Sequence, residues 1–230
     1  MGSQRSDMLP LVRSSRSTLK PRHIQLVTGD TLFAHIARAV CSADCLPRKE
    51  LFEAWEVARR VRRRMRGGPV VELAAGHGLL AAILLLMDQT TPWALCVDLD
   101  EPPSHRRVLA ALVQRWPQLE GRVRFLSGRL EDVVVPSEAL LASVHACGPL
   151  TDRVLDHAIA ARCRVAVLPC CHDLRLCDTS GMGAWMDGPI AVDATRVARL
   201  RAADFTVRCA TIPDDITPQN RLIMGEPNEA

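Results

Sequence analysis

The sequence is poor in aromatic residues and in lysine. Aromatic side chains make up 3% of its 230 residues, Tyr is absent, and Lys20 and Lys49 are the only lysines. Platforms on which several nucleic-acid bases stack are therefore expected to be scarce. Nearly all of the positive charge comes from arginine, a bias that a GC-rich bacterial genome explains as well as nucleic-acid binding does.

Long apolar runs are also missing. The longest, at 79–87, is too short to cross a bilayer, and the N-terminus lacks the apolar core of a secretory signal. We therefore expect a cytoplasmic protein that makes no membrane contact. Its nine cysteines are expected to be reduced thiols, because a chain of this length does not need disulfides to fold. No feature predicts a stable protein partner.

The chain divides into three predicted parts. Residues 1–29 carry scattered Ser, Arg and Pro without sustained periodicity, and they predict a flexible basic arm with no core. Residues 30–68 predict two N-terminal helices, the second opened by Pro47. Residues 69–230 have the composition and alternation of one α/β domain.

Within 69–230, β-branched runs alternate with helical patterns, which indicates a Rossmann-like, mostly parallel sheet of seven strands with crossover helices. The last two strands have no helix between them and should form an antiparallel hairpin. Strands are predicted near 69–74, 93–98, 122–126, 140–146, 164–169, 205–211 and 221–225, and helices near 78–88, 103–116, 150–161 and 190–203.

A glycine-containing turn follows the first predicted strand. Ligands of doubly wound sheets lie at the carboxyl ends of the strands, where this turn makes the closest backbone approach. Gly76 and Gly78 let the main chain pass close to a ligand, and Ala74 and His77 share the turn with them. Dinucleotide-binding dehydrogenases use a similar turn, so NAD is a rival ligand.

Three acidic residues extend the candidate site. Glu72, inside the strand end, favours a methyl-donor cofactor whose ammonium it would meet directly or through water. Asp98, which ends the second strand, suits two ribose hydroxyls of either cofactor. Asp132, after the third strand, is a candidate acceptor for an adenine amino group. The alternatives are a strand-end salt bridge for Glu72 and a helix cap for Asp132.

Two Cys-containing strings at later strand ends narrow the interpretation. Together with Thr217-Pro218-Gln219-Asn220-Arg221 they resemble the methyltransferase-domain family that includes the glutathione S-transferase C-terminal-domain-containing proteins. More distantly, they resemble the eukaryotic tRNA 2′-O-methyltransferases. The strings are His145-Ala146-Cys147-Gly148-Pro149-Leu150-Thr151-Asp152 and Leu168-Pro169-Cys170-Cys171-His172.

The resemblance implies a class I methyltransferase fold with S-adenosylmethionine as cofactor. It also implies that the helix before the domain covers the active site, near Lys49 and Glu50. The zinc-binding N-terminal segment of the tRNA enzymes has no match here, so their substrate is not transferred. The residues implied around the cofactor are Glu72, Gly76, Gly78, Asp98, Asp132 and His145.

The loops after strands four and five normally frame the methyl acceptor. His145, Cys170 and His172 are the candidate catalytic residues, and we favour positioning over proton abstraction for His145. A cysteine nucleophile is conceivable but lacks its usual sequence context. Adjacent cysteines of an extended chain point in opposite directions, so no metal is predicted. The residues predicted to face the substrate are Lys49, Cys147, Pro169, Cys171 and Asn220.

The second helix offers the only signal for a partner. It carries arginines opposite its apolar stripe over 47–66, a surface that could follow an RNA phosphate backbone. The alternative is a solvated helix face. We therefore predict a methyltransferase acting on RNA, tRNA or rRNA, with a small molecule or protein as the alternative acceptor. The rival functions are an RNA-binding module without turnover and an NAD-dependent oxidoreductase.

Overall fold

The computed structural model describes residues 12–229, and a seven-stranded sheet organises them. The strand order is β3-β2-β1-β4-β5-β7-β6. β7 is antiparallel to both of its neighbours, and the remaining neighbours are parallel. The predicted Rossmann-like fold, with its C-terminal antiparallel hairpin and preceding helices, is confirmed.

The elements follow the predicted alternation closely. The strands are β1 Val70–Leu73, β2 Ala94–Asp98, β3 Val123–Ser127, β4 Leu140–Ser143, β5 Arg164–Val167, β6 Phe205–Thr211 and β7 Arg221–Pro227. The helices are α1 Leu32–Ala43, α2 Arg48–Arg62, α3 Leu79–Met87, α4 Pro103–Arg115, α5 Pro149–Ala161 and α6 Gly188–Ala202. The carboxyl ends of β1 to β5 form one edge of the sheet, called here the carboxyl edge.

Each face of the sheet is covered by its own apolar core. Strand side chains alternate between faces, so Val70 packs with helices α1 to α4 while Val71 and Leu73 pack with α5 and α6. Glu72 therefore points to the same face as Val70, towards α3. This alternation fixes the surroundings of the first candidate acid.

The N-terminal segment differs from its prediction. Within the part that the structure describes, Leu19 is fully buried, Val27 is nearly so, and both join the core of α1 and α2. The Leu19 amide donates to the Leu46 carbonyl, and the Arg13 guanidinium lies over the Phe52 ring. The expectation of no core is thus wrong for this stretch. Residues 1–11 lie outside the described residues.

Helix α2 runs from the carboxyl edge to the opposite edge of the sheet. Its last residue, Arg62, has a side chain that is 3% exposed and pairs with Asp88 at the end of α3. Burial lowers the pKa of Arg62 to about 10, although Asp88 opposes that shift. Arg62 therefore holds α2 against α3 and contributes nothing to a surface.

The other arginines near the C-terminal end of this helix fall into two groups. Arg59 and Arg60 are half-buried and bind the Glu56 carboxylate. Three others just beyond the helix are exposed, namely Arg63, Arg64 and Arg66. The Arg66 carbonyl accepts from Arg164, the first residue of β5, which puts this exposed group at the edge opposite the carboxyl ends.

Within residues 12–229, no helix combines the length and hydrophobicity that a membrane span requires.

Candidate active site

The glycine turn joins β1 to α3 through three residues in left-handed backbone conformations. Ala74 has φ +51°, Gly76 +51° and Gly78 +66°. A Cβ on Gly76 would meet no atom within 4 Å, so this glycine faces open space at the carboxyl edge. A Cβ on Gly78 would lie 2.7 Å from the Cys96 sulfur. Gly76 therefore leaves room for a ligand, whereas Gly78 lets the turn pack on β2.

Glu72 lies beneath this turn. Its side chain is buried, and Oε2 accepts the amide of Ala81 in the first turn of α3 at 2.8 Å. Burial raises the pKa of Glu72 to about 8, against the opposing effect of that hydrogen bond. The residue predicted to meet the cofactor ammonium thus holds the helix that follows the turn.

Asp98 occupies the expected position at the end of β2. Its two carboxylate oxygens accept the amides of Gly76, at 2.9 Å, and Leu99, at 2.8 Å. The side chain therefore joins the glycine turn to the next strand end. It also remains half exposed, so it can meet a ligand lying on the turn.

A cavity of about 260 Å³ opens beside Asp98. It runs from Ala74 across the ends of β2 and β3, and the Leu99 side chain, 68% exposed, supplies an apolar wall. Its walls are mostly apolar with few polar groups, which suits a nucleoside. The other lining residues are Val97, Gly128, Arg129, Leu130, Glu131, Leu150 and Arg153.

Asp132, the acid predicted to meet the adenine, does not line the cavity, but its neighbour Glu131 does. Asp132 is exposed to solvent. Both residues belong to a short 3-10 helix over 130–132, and Glu131 pairs with Arg153 of α5. Sequence spacing located this turn but could not give the directions of its side chains.

His77, His145 and Glu50 meet above the glycine turn. The His77 Nε2 is hydrogen-bonded to the Glu50 carboxylate from the first turn of α2. The ring centroids of His77 and His145 are 5.6 Å apart in an edge-to-face arrangement. The Nδ1 atom of His77 is buried and has no hydrogen-bond partner among the described residues.

Electrostatics distinguish the members of this group. Burial and the neighbouring His77 lower the pKa of His145 to about 4, so its ring is neutral at pH 7. Burial disfavours the Glu50 carboxylate, but the hydrogen bond and charge of His77 outweigh it and lower the pKa of Glu50. A neutral His145 can position a group by hydrogen bonding and is a weak base at neutral pH.

The two Cys-containing loops converge next to His145. Cys147 follows β4, and Cys170 and Cys171 follow β5. Their three sulfur atoms all lie within 4.8 Å of one another, and Cys147 and Cys170 are 2.9 Å apart. Burial raises the pKa of Cys147 and Cys170, which disfavours a free thiolate nucleophile at neutral pH.

His172 is directed away from these thiols. Its side chain is 3% exposed, and Nε2 bonds Asp193 of α6 at 2.8 Å. Asp193 also binds Arg196 and Arg221, and Arg196 donates to the Gly148 carbonyl at 2.9 Å. His172 thus anchors the loop, and its predicted catalytic role does not match this position.

The remaining predicted residues have diverse surroundings. Lys49 binds Glu53 within α2 at 2.5 Å and acts electrostatically on His145 and Cys147. Pro169 is buried at the end of β5. Asn220 donates to the Ile212 carbonyl at 3.1 Å and so closes the loop before β7. Of these three, Pro169 belongs to the loop after β5, and Lys49 acts on Cys147 of the loop after β4.

Sequence reasoning did not single out two groups that the structure brings to the site. Leu99 and Glu131 line the cavity, and Asp193 fixes the loop after β5. The position of Leu99, directly after the strand-ending Asp98, was an available signal. Asp193 lies inside a helix, where nothing in the sequence pattern marks it.

Comparison with known proteins agrees with this geometry. The family described as a methyltransferase domain matches residues 50–175, more than half of the chain. That stretch includes the glycine turn, Asp98, His145 and the three clustered cysteines. No curated protein sequence matches at a significant level.

Solved methyltransferase structures share the fold. An O-methyltransferase family protein from Burkholderia thailandensis has TM-score 0.54 and 17% identity over 93% of this chain and 64% of its own. The tRNA methyltransferase TrmK of B. subtilis has TM-score 0.50 and 14% identity over 77% and 66%. The mitomycin 7-O-methyltransferase MmcR has TM-score 0.51 and 16% identity over 85% and 57%. The chain thus spans less than two thirds of each.

The site fits S-adenosylmethionine. The cavity beside Leu99 has the size and apolar walls for the nucleoside, Asp98 offers carboxylate oxygens to its ribose, and Gly76 leaves the turn open. When bound, this cofactor supplies an activated methyl group. The chain belongs to the family described as a methyltransferase domain, and it shares the fold of solved methyltransferases.

Proposed function

We propose that this chain is a class I S-adenosylmethionine-dependent methyltransferase that methylates RNA, with the target nucleotide entering at the loops after β4 and β5. The observation that carries the proposal is an open surface at these two loops, called here the acceptor mouth, with exposed apolar side chains. Cys147 and Cys171 are exposed, and Trp185, in the segment between β5 and α6, is 85% exposed. A macromolecular acceptor would cover such a surface, whereas a small one would leave it in water.

The apolar surface belongs to one segment, 169–187. Leu174 and Leu176 are 53% and 70% exposed, and Trp185 precedes the first turn of α6. Because β5 ends and α6 begins at the carboxyl edge, this segment flanks the site of methyl transfer. An exposed Trp there suits stacking with an unpaired base, which contributes about 1–3 kcal/mol per base.

Charge at the same edge supports RNA over an apolar metabolite. Arg129 and Arg153 have side chains 68% and 56% exposed at the cavity rim, and Arg175 is exposed in the segment that also carries Trp185. Arginines can meet phosphates while an aromatic ring meets a base. Glu131 neutralises part of this charge, so the affinity for phosphate is expected to be modest.

The exposed arginine group 63–66 is a second candidate RNA contact. It lies at the far end of α2, and a helix of 15 residues is about 22 Å long. Its phosphate contacts would therefore involve RNA remote from the target nucleotide. The resemblance to tRNA 2′-O-methyltransferases and the solved TrmK structure are consistent with a tRNA acceptor, while MmcR and the Burkholderia protein are named as O-methyltransferases.

The test uses S-adenosylmethionine with a labelled methyl group. The enzyme is incubated with RNA from a strain that lacks its gene and, separately, with protein and metabolite extracts from that strain. We expect label in RNA that ribonuclease releases. Label confined to protein or to metabolites would contradict the proposal and identify the alternative acceptor.

A matched pair of variants tests whether the exposed segment 169–187 at the acceptor mouth binds RNA. Trp185→Ala is expected to raise the KM for RNA by about tenfold, the loss of one stacked base, without changing the affinity for S-adenosylhomocysteine. Val134→Ala, which truncates an apolar side chain that is 90% exposed in the β3–β4 connection, serves as the control. Equal effects of the two substitutions would count against an RNA surface at 169–187.

A further inference from the structure

The three clustered thiols lie outside the cofactor cavity and have no part in holding the cofactor. Cys147 comes from the loop after β4, and Cys170 and Cys171 come from the loop after β5. We propose that Cys147, Cys170 and Cys171 together bind one zinc ion, with the fourth coordination position open to solvent at the acceptor mouth.

The distances between the sulfur atoms favour a shared cation. In a tetrahedral zinc site with Zn–S bonds of about 2.3 Å, neighbouring sulfurs are roughly 3.8 Å apart. Here the three Sγ atoms all lie within 4.8 Å of one another, and one pair is at 2.9 Å. Adjustments of about 1 Å or less would bring every pair to that separation. A disulfide, by contrast, would use two of the thiols and leave the third unused.

Adjacent cysteines do converge here, contrary to the expectation for an extended chain. The residues after β5 have no regular strand structure, so the backbone turns between Cys170 and Cys171 and both sulfurs approach Cys147. The neighbouring His172 and Cys177 do not join this cluster. His172 binds Asp193, and Cys177 lies against Arg196.

The two loops are held rigidly in register. The Gly148 amide donates to the Cys171 carbonyl at 3.1 Å, and Arg196 donates to the Gly148 carbonyl at 2.9 Å. His172, the next residue along, is fixed by Asp193. Supporting hydrogen bonds of this kind reduce the cost of organising ligands around a metal.

Exposure and charge indicate the kind of zinc site. Three protein ligands and one open position are the arrangement of catalytic rather than structural zinc. Cys147 and Cys171 are exposed, so solvent or an acceptor atom can reach the fourth position. Three thiolates on one zinc ion leave a net negative charge, and the Lys49 ammonium acts on Cys147 through space.

The test measures metal directly and does not depend on which acceptor is methylated. The full chain, without a histidine tag, is loaded with Zn²⁺, passed through a desalting column and analysed by mass spectrometry for metal. We expect about one zinc per chain. Cobalt substitution should give thiolate-to-cobalt charge-transfer absorption and the d–d bands of a tetrahedral site.

Serine variants separate the site from other thiols. Cys147→Ser, Cys170→Ser and Cys171→Ser should each lower zinc affinity by at least tenfold, and the triple variant should abolish the cobalt bands. Cys209→Ser, at an exposed cysteine of β6, should retain both signals. Binding of S-adenosylhomocysteine by each variant verifies that it is folded.

Three results would overturn the proposal. One is a folded wild-type chain that retains no zinc after desalting. Another is zinc that remains bound to the triple variant. The third is a metal-free chain isolated two hydrogens lighter, with a disulfide between Cys147 and Cys170, which would assign these thiols to redox chemistry instead.

Discussion

Replacement of Glu72 by glutamine should make this protein more stable in alkaline solution. The carboxyl group is buried, and burial raises its pKa to about 8 from 4.5. Between these two values the folded chain retains a proton that the unfolded chain has released. Stability of the wild type therefore falls as the pH rises from about 4.5 to 8 and then becomes constant.

The size of the effect follows from the shift. Each pKa unit is worth about 1.4 kcal/mol, so a shift from 4.5 to about 8 corresponds to about 5 kcal/mol. The N-terminus of α3 favours the carboxylate and could offset about 1 kcal/mol. Glutamine keeps the oxygen that accepts the Ala81 amide and does not ionise. We expect Glu72→Gln to equal the wild type near pH 4.5 and to exceed it by roughly 3–5 kcal/mol at pH 9.

Urea unfolding of both proteins at pH 5, 7 and 9 measures this difference. Glu120→Gln, at an exposed glutamate, should follow the wild type at every pH. A difference between Glu72→Gln and wild type that does not change with pH would refute a neutral buried carboxyl. Affinity for S-adenosylhomocysteine adds a second readout. An affinity of Glu72→Gln within about threefold of the wild type agrees with a helix-anchoring role. A tenfold lower affinity, about 1.4 kcal/mol, would instead support the predicted contact with the cofactor ammonium.

Four further substitutions test other parts of the site and fold. Asp98→Ala should weaken S-adenosylhomocysteine binding by at least tenfold in calorimetry, because hydrogen bonds to a charged acceptor contribute about 1.5–3 kcal/mol; unchanged affinity would remove Asp98 from the cofactor site. Gly78→Ala should destabilise the fold by about 2–3 kcal/mol, since its Cβ meets β2 at φ +66°. Gly76→Ala should reduce stability by only about 1 kcal/mol yet weaken cofactor binding. A larger loss of stability for Gly76→Ala than for Gly78→Ala in urea unfolding would contradict this assignment. Arg62→Met should destabilise by about 3 kcal/mol because it removes the buried cation that pairs with Asp88 and donates to the Leu84 carbonyl, whereas Arg64→Met should be nearly neutral.

The sheet could be predicted because most strands are short apolar or β-branched runs and most crossover helices have a 3.6-residue apolar period, while α3 is apolar throughout. The folded chain keeps the strands and helices that these local patterns predict. The N-terminal segment could not be predicted in the same way. Leu19 and Val27 are isolated apolar residues, and they are buried only because α1 and α2 present a surface to cover.

The backbone framework of the candidate cofactor site was predictable from sequence spacing. Asp98 and Gly76 are fixed by strand ends and backbone conformation, which that spacing records. Side-chain directions in irregular turns are not recorded there, so Glu131 lines the cavity and Asp132 does not. The burial of Glu72 against α3 follows from strand alternation, but its hydrogen bond to Ala81 required the packing of the helix.

The direction of α2 bears on how an acceptor can be bound. Its first turn brings Glu50 to His77 and Lys49 near Cys147, so it borders both the cofactor turn and the acceptor loops. Its far end, beyond Arg62, carries the exposed arginines 63–66. One rigid helix of about 22 Å therefore separates the candidate site of methyl transfer from the exposed arginines 63–66. An RNA that contacts both must extend along this helix, so those arginines would set overall affinity and its salt dependence. Choice of the methylated nucleotide would depend on the mouth around Cys147 and Trp185.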